Sequence, residues 1–235
     1  MNRILNNYFE LRFRLLQYYW GIFDKDQYNY CDVLMFHHVS DEHVDINESC
    51  QCTKSEFRKR LQNRLDLGYE FISVDQLYEN LRLKKRGRYC CVTFDDVPHN
   101  FITSALPILE ELDIPYCLFI TTDYMRKSGY LSSIEVKNLS YNSLCTIGAH
   151  TVSHPQLRKS LDSYGELRRS KEILEEIIGS EVKYLAYPYG RQSSISIKVQ
   201  KEAKMAGYKI AFSTIPTSIN ILSKNRLYFL PRILK

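Results

Sequence analysis

Val92-Thr93-Phe94-Asp95-Asp96 is a run of strand-forming residues that ends abruptly on two adjacent carboxylates. Tyr89-Cys90-Cys91 ahead of it lengthens the apolar, β-prone stretch, while Val97-Pro98 behind it ends the strand and opens a helix with proline in its first turn. The carboxylates therefore stand at the C-terminal end of a strand, where α/β proteins gather ligands because loops vary there while strands hold position. Two neighbouring carboxylates repel each other, and a metal ion or a proton relieves the repulsion. The plainer alternative is that Asp95 or Asp96 caps the helix beginning near Pro98.

Around this stretch strands and helices alternate. Residues 98–112 carry Phe101, Ala105, Leu106, Ile108, Leu109 and Leu112 at helical spacing. Asp113-Ile114-Pro115 then turns the chain into a second apolar run, Tyr116-Cys117-Leu118-Phe119-Ile120. Strand, helix, strand in about thirty residues is a βαβ unit, so these two strands are expected to be parallel and buried on both faces. Downstream, Ser132 caps a helix to about Leu139, Cys145-Thr146-Ile147-Gly148 is a short strand, and a long helix over 162–178 stops at Gly179. A strand over 182–187, a helix over 193–206 capped by Gly207, a strand over 208–212 and a last strand over 226–230 follow.

Upstream, Cys31-Asp32-Val33-Leu34-Met35-Phe36 reads as a buried strand running into His37-His38. Thr53 caps a helix over 54–67 with Glu56 in the capping-box position, and Gly68 ends it. A short strand at Phe71-Ile72-Ser73 leads to a helix opening with Val74-Asp75-Gln76. Seven or so strands with helices between them predict a single α/β domain, a β/α barrel of irregular outline over 31–235, preceded by a lead-in over 1–30.

Composition agrees with an ordinary globular protein: of 235 residues 44% are hydrophobic and 25% charged, enough for a sizeable core. The net charge of +5 is spread out, densest at Arg82, Lys84, Lys85, Arg86 and Arg88, which reads as a solvated loop. No broad basic face is present, so nucleic acid is not an expected partner. The seven cysteines form no CxxC pair. Cys31, Cys90, Cys91, Cys117 and Cys145 fall in predicted strands as small core residues, which suits a reducing compartment, while Cys50 and Cys52 read as loop-borne. Residues 1–24 pattern as an amphipathic helix interrupted by Arg3, Glu10, Arg12 and Arg14, unlike a signal peptide. A cytoplasmic protein is the expectation, with peripheral membrane contact through residues 1–24 as the alternative use of that helix.

His150 and His154 lie four residues apart just after a short strand, a spacing that turns both imidazoles to one side, where they can share a metal. Their sequence is not HExxH, which excludes that zinc-peptidase form. A carboxylate from the Asp95-Asp96 pair with two imidazoles suits Zn²⁺ or another divalent ion and leaves positions open. Tyr187-Pro188-Tyr189-Gly190 stands at another strand end, where Pro188 fixes the backbone and Gly190 allows a sharp turn, so the Tyr189 N–H can point into the site. An ordinary β-turn explains the same four residues.

Thr93-Phe94-Asp95-Asp96, then His150-Thr151-Val152-Ser153-His154-Pro155, then Ala186-Tyr187-Pro188-Tyr189-Gly190, in this order and spacing, resemble the NodB-homology polysaccharide deacetylases. The resemblance covers roughly residues 31–232. It implies a distorted β/α barrel and a metal-dependent amidohydrolase that removes acetyl groups from N-acetylated sugars. It also implies that Asp96, His150 and His154 hold the metal, most simply Zn²⁺ with Co²⁺ or Ni²⁺ as alternatives. Asp95 would then be the general base toward a metal-activated water, and the Tyr189 N–H would meet the oxyanion.

Three positions depart from the family pattern. Ala186 replaces an arginine that orients the base in many members, no histidine follows His154 to serve as the late general acid, and Val97 replaces a common glycine. In the branch that includes the poly-N-acetylglucosamine deacetylases of biofilms, the acid histidine comes from an early Tyr-His motif. Phe36-His37-His38-Val39 is similar to that motif, which points to His37 as the acid ahead of His38. Pro231-Arg232-Ile233 resembles the end of the same branch, which implies that Arg232 orients Asp95. His99 is expected on an exposed first helical turn, and His43 falls in a polar loop without an assigned role. The expected partner is an N-acetylated carbohydrate. The alternatives from other classes are a non-catalytic glycan-binding member of the fold and a membrane-associated scaffold.

Overall fold

The computed structural model describes residues 29–42, 51–220 and 224–234. The expected helix over 1–24, His43 and Cys50 lie outside the described residues. In chain order the strands are β1 (Asn29–Phe36), β2 (His38–Val39), β3 (Gln51–Cys52), β4 (Glu70–Phe71), β5 (Tyr89–Asp95) and β6 (Tyr116–Ile120). They continue as β7 (Cys145–Ala149), β8 (Tyr184–Ala186), β9 (Ile210–Phe212), β10 (Ile219–Asn220) and β11 (Ile233–Leu234).

The main sheet runs β10-β1-β5-β6-β7-β8-β9, with β1 and β5 to β9 parallel and β10 antiparallel to β1. Leu230 bridges Phe212 of β9 while β11 pairs with β1, so the C-terminal segment links the two edges of the curled sheet. The result is the expected α/β barrel, irregular at this seam. Alternation along the strands separates two cores. Cys90, Val92 and Phe94 of β5, with Tyr116, Leu118 and Ile120 of β6, face the outer layer of helices. Cys91, Cys117 and Phe119 turn inward with Ala186, Ile210 and Phe212. By the same period Thr93 and Asp95 face the barrel interior.

Capping boxes start three helices: Thr53 with Glu56 ahead of Lys54–Asp66, Ser73 with Gln76 ahead of Val74–Leu83, and Ser132 with Glu135 ahead of Ser133–Leu139. Asp162 caps Ser163–Ile178, and Gly179 ends it in the left-handed conformation.

Several sequence expectations are corrected. The stripe over 98–112 forms two short helices, Phe101–Ser104 and Leu106–Glu111, because Pro107 lacks the N–H that would continue the first into the second. Pro98 opens no helix and instead bridges Tyr130. The helix expected over 193–206 begins later and runs Ile197–Met205, with Ser196 as its N-cap. Strand 182–187 shortens to Tyr184–Ala186 because the Val182 N–H and carbonyl are taken by the side chains of Glu175 and Lys171. Residues 226–230 turn, and the final strand is Ile233–Leu234. Cys52 is buried in β3. The basic cluster at 82–88 is exposed. No helix among the described residues is long and apolar enough to cross a membrane.

Candidate metal and catalytic site

Asp95 is the last residue of β5 and only 2% exposed. Arg232, fully buried, donates from Nη1 to Oδ1 and from Nη2 to Oδ2, each at 2.6 Å, and from Nε to the Ser213 carbonyl at 3.1 Å. Its guanidinium lies over the rings of Phe119 and Phe212, so packing as well as charge fixes it. Burial pushes the Asp95 carboxyl toward protonation, but the charges of Arg232 and His150 outweigh it and hold the group well below the usual carboxylate range.

One residue on, the backbone turns left-handed at Asp96, with φ 60°, and this carries its carboxylate away from Arg232. Asp96 Oδ1 accepts from the Thr121 hydroxyl at 2.8 Å, and Oδ2 lies 3.7 Å from His154 Nε2. Neither aspartate caps a helix; the position before Phe101–Ser104 belongs to Asn100. The capping alternative is therefore excluded.

His150 follows β7 and is buried. Its Nδ1–H donates to the Ala186 carbonyl at 2.8 Å, which leaves the Nε2 lone pair free, and burial pushes the ring toward its neutral form. His154 packs edge-on to His150 at 5.0 Å and to Tyr189 at 4.9 Å. The ligand atoms of Asp96, His150 and His154 all lie within 4.8 Å of one another. One carboxylate oxygen, a lone pair on a neutral imidazole and a second imidazole nitrogen are a donor set that fits a divalent ion of the zinc type.

His37 lies close enough for both aspartates to raise its proton affinity, but burial, the largest influence, lowers it overall. The Nδ1 atoms of His37 and His38 are buried without a hydrogen-bond partner among the described residues. Tyr189 has φ 61° and is half exposed, and its N–H meets no acceptor among the described residues. Tyr124 and Tyr130 stand beside the same cleft, their rings 4.7 Å apart and both within the field of Asp96. His99 is exposed, bound to Glu135 at 2.9 Å, and lies in a turn rather than a helix. Of the seven left-handed non-glycine residues among the described residues, Asp96, Val97, Thr151, His154 and Tyr189 are on these loops. Such strain gathers where a surrounding structure enforces a functional geometry.

The model of the polysaccharide deacetylase family matches residues 82–210, more than half of the chain and both sequences that supply the trio. The chain belongs to the polysaccharide deacetylase family. It is similar to the poly-beta-1,6-N-acetyl-D-glucosamine N-deacetylase of Staphylococcus aureus (strain MRSA252), with 28% identity over 177 residues, 67% of this chain and 59% of that one. The chain thus spans about three fifths of the length of that relative. Among solved structures, a polysaccharide deacetylase from Bacillus cereus superposes with a TM-score of 0.76 at 26% identity, covering 86% of this chain and 64% of the other. The Streptococcus pyogenes deacetylase PplD in complex with acetate superposes at 0.75 and 25% identity, covering 86% and 91%. These likenesses agree with the distorted barrel expected of a polysaccharide deacetylase.

Sequence reasoning passes over two residues of this candidate site. Thr121, one residue past β6, holds Asp96. Glu166 holds the loop between the two histidines. A polar residue directly after an apolar strand was the available signal for Thr121, and none marked Glu166.

Proposed function

We propose that the chain is a divalent-metal-dependent carbohydrate N-deacetylase that hydrolyses the acetamide of N-acetylhexosamine units in a polysaccharide or glycan intermediate. The observation that carries this reading is the convergence of Asp96, His150 and His154 within 4.8 Å, beside a second carboxylate held out of the trio by Arg232. Those three residues would hold the ion, Zn²⁺ first, with Co²⁺ or Ni²⁺ as alternatives. When bound, such an ion lowers the pKa of a water and polarises a carbonyl.

The remaining work falls to this chain's own groups. Asp95, held ionised and oriented by Arg232, is the group that accepts a proton from the attacking water. Arg232 orients Asp95 in the role that position 186 cannot fill, since Ala186 contributes only its carbonyl, to His150. The Tyr189 N–H is the oxyanion donor, free of other partners among the described residues. His37, buried beside both aspartates, is the acid for the departing amine. The half-exposed ring of Tyr189, with Tyr124 and Tyr130, offers the apolar face on which a sugar ring packs.

The relatives' names make β-1,6-linked N-acetylglucosamine oligosaccharide the first substrate to try. Acetate release should vanish on chelation and return with Zn²⁺. A protein that takes up metal but frees no acetate from any N-acetylated sugar is instead a glycan-binding member. Near-normal turnover by His37→Ala removes the acid assignment alone.

A further inference from the structure

The loop that presents both imidazoles is gripped by a residue with no place in the chemistry above. Between His150 and His154 the chain passes through two left-handed residues, Thr151 at φ 69° and His154 at 60°, a conformation that is costly for any residue but glycine. Glu166, in the first turn of Ser163–Ile178, reaches this loop. Its Oε2 accepts from the backbone N–H groups of Val152 at 2.9 Å and Ser153 at 3.0 Å, and its Oε1 accepts from the Ser153 hydroxyl at 2.8 Å. From the other side, the N–H groups of Thr122 and Asp123 donate to the carbonyls of Thr151 at 3.1 Å and Val152 at 3.0 Å. The His154 N–H closes the turn onto Thr151 Oγ1 at 3.1 Å. An acidic residue in a first turn ordinarily serves the helix dipole. Here its three hydrogen bonds all go to the turn between the histidines.

We propose that Glu166 is a positioning residue for the two imidazoles: its carboxylate fixes the Val152-Ser153 turn in the shape that brings His150 and His154 within reach of Asp96. The inference rests on reading those three as metal ligands. Because three donors converge on one carboxylate, the hydrogen-bond pattern and not the negative charge is what matters. Glutamine, whose carbonyl oxygen can accept both backbone bonds, should therefore substitute for it while alanine should not.

The test is Zn²⁺ affinity of the full chain by competition with a chromophoric chelator, together with hydrogen exchange at the Val152 and Ser153 amides without metal. Glu166→Ala should weaken Zn²⁺ binding by about 10–100-fold and speed exchange at both amides. Glu166→Gln should stay within about fivefold of the wild type if the bonds are what count. Wild-type affinity in Glu166→Ala, unchanged exchange at both amides, or equal losses in the alanine and glutamine variants overturns the proposal. If Glu166→Ala does not fold, Ser153→Ala removes one of the three bonds, and wild-type affinity there overturns it equally. A wild-type chain that takes up no Zn²⁺ overturns the ligand reading and this inference with it, whereas unchanged exchange overturns this inference alone.

Discussion

Arg232 and Asp95 lie 137 residues apart in the chain and meet inside the barrel through two parallel hydrogen bonds of 2.6 Å. Breaking the pair is costly, because either buried charge would lose its closest counter-charge. The pair also fixes the angle at which Asp95 faces the trio.

Removing the guanidinium should therefore do two separate things. Arg232→Ala is expected to lower the unfolding free energy by about 3–5 kcal/mol, the usual cost of breaking a buried pair. Acetate release should fall by roughly 100-fold, the scale of a misplaced catalytic group. Arg232→Lys keeps a charge without the planar fork, so it should recover some stability and little turnover. Denaturant unfolding and the acetate assay separate these effects, and near-normal turnover in Arg232→Ala removes the orienting role.

Thr121 offers a cleaner test of ligand geometry. Its hydroxyl holds Asp96 Oδ1, leaving Oδ2 turned toward His154. Thr121→Val keeps the shape, removes the donor, and is expected to weaken Zn²⁺ binding by about 10–100-fold. Thr121→Ser should bind close to wild type. Equal affinities for valine and serine, measured by chelator competition, would show that the hydroxyl is idle.

The metal-free protein should lose stability as it is acidified, in two stages. Burial lowers the proton affinity of His37, His38 and His150 in the folded chain, so the unfolded chain binds more protons around its histidine pKa of about 6.5. Their contribution is complete above that pH and is lost as pH falls through the lower folded values. Asp95, also depressed once folded, adds stability that is complete above about pH 4 and disappears below it. Denaturant midpoints in the presence of chelator should thus fall from pH 7 to 5 and again below 4. A flat profile between pH 7 and 5 contradicts the burial of the three rings.

Much of this site is legible in one dimension because its parts are short and local. An apolar run ending in Asp95-Asp96 implies a strand end, and the spacing of His150 and His154 implies a shared face. Glu166 is not legible. It shares a helix with Glu172 and Glu175, which pair with Arg168 and Lys171, and nothing in their spacing singles out the one that reaches the loop between the histidines. The partner of Asp95 is likewise hidden, since only the closing of the barrel seam brings residue 232 to β5; the family resemblance alone suggested it. The misplaced strand boundary at 182 has a local cause, two side chains of the preceding helix that take the backbone groups of Val182.

Gly190 tests the turn that presents the Tyr189 N–H. It sits at φ +55°, and a Cβ there would come within 2.6 Å of the Thr214 backbone nitrogen. Gly190→Ala is expected to cost about 1–3 kcal/mol from backbone strain and to lower turnover more than substrate affinity, because the oxyanion donor moves. A variant with unaltered kcat contradicts the placement of that N–H.

The central claim is a division of labour between adjacent carboxylates, Asp96 for the metal and Asp95 for the proton. The most direct test is Zn²⁺ stoichiometry and acetate release measured side by side for the wild type, Asp95→Asn and Asp96→Ala. The account predicts one ion per chain and release in the wild type, about one ion but no release in Asp95→Asn, and loss of both in Asp96→Ala. Full metal occupancy in Asp96→Ala, or wild-type acetate release by Asp95→Asn, contradicts it.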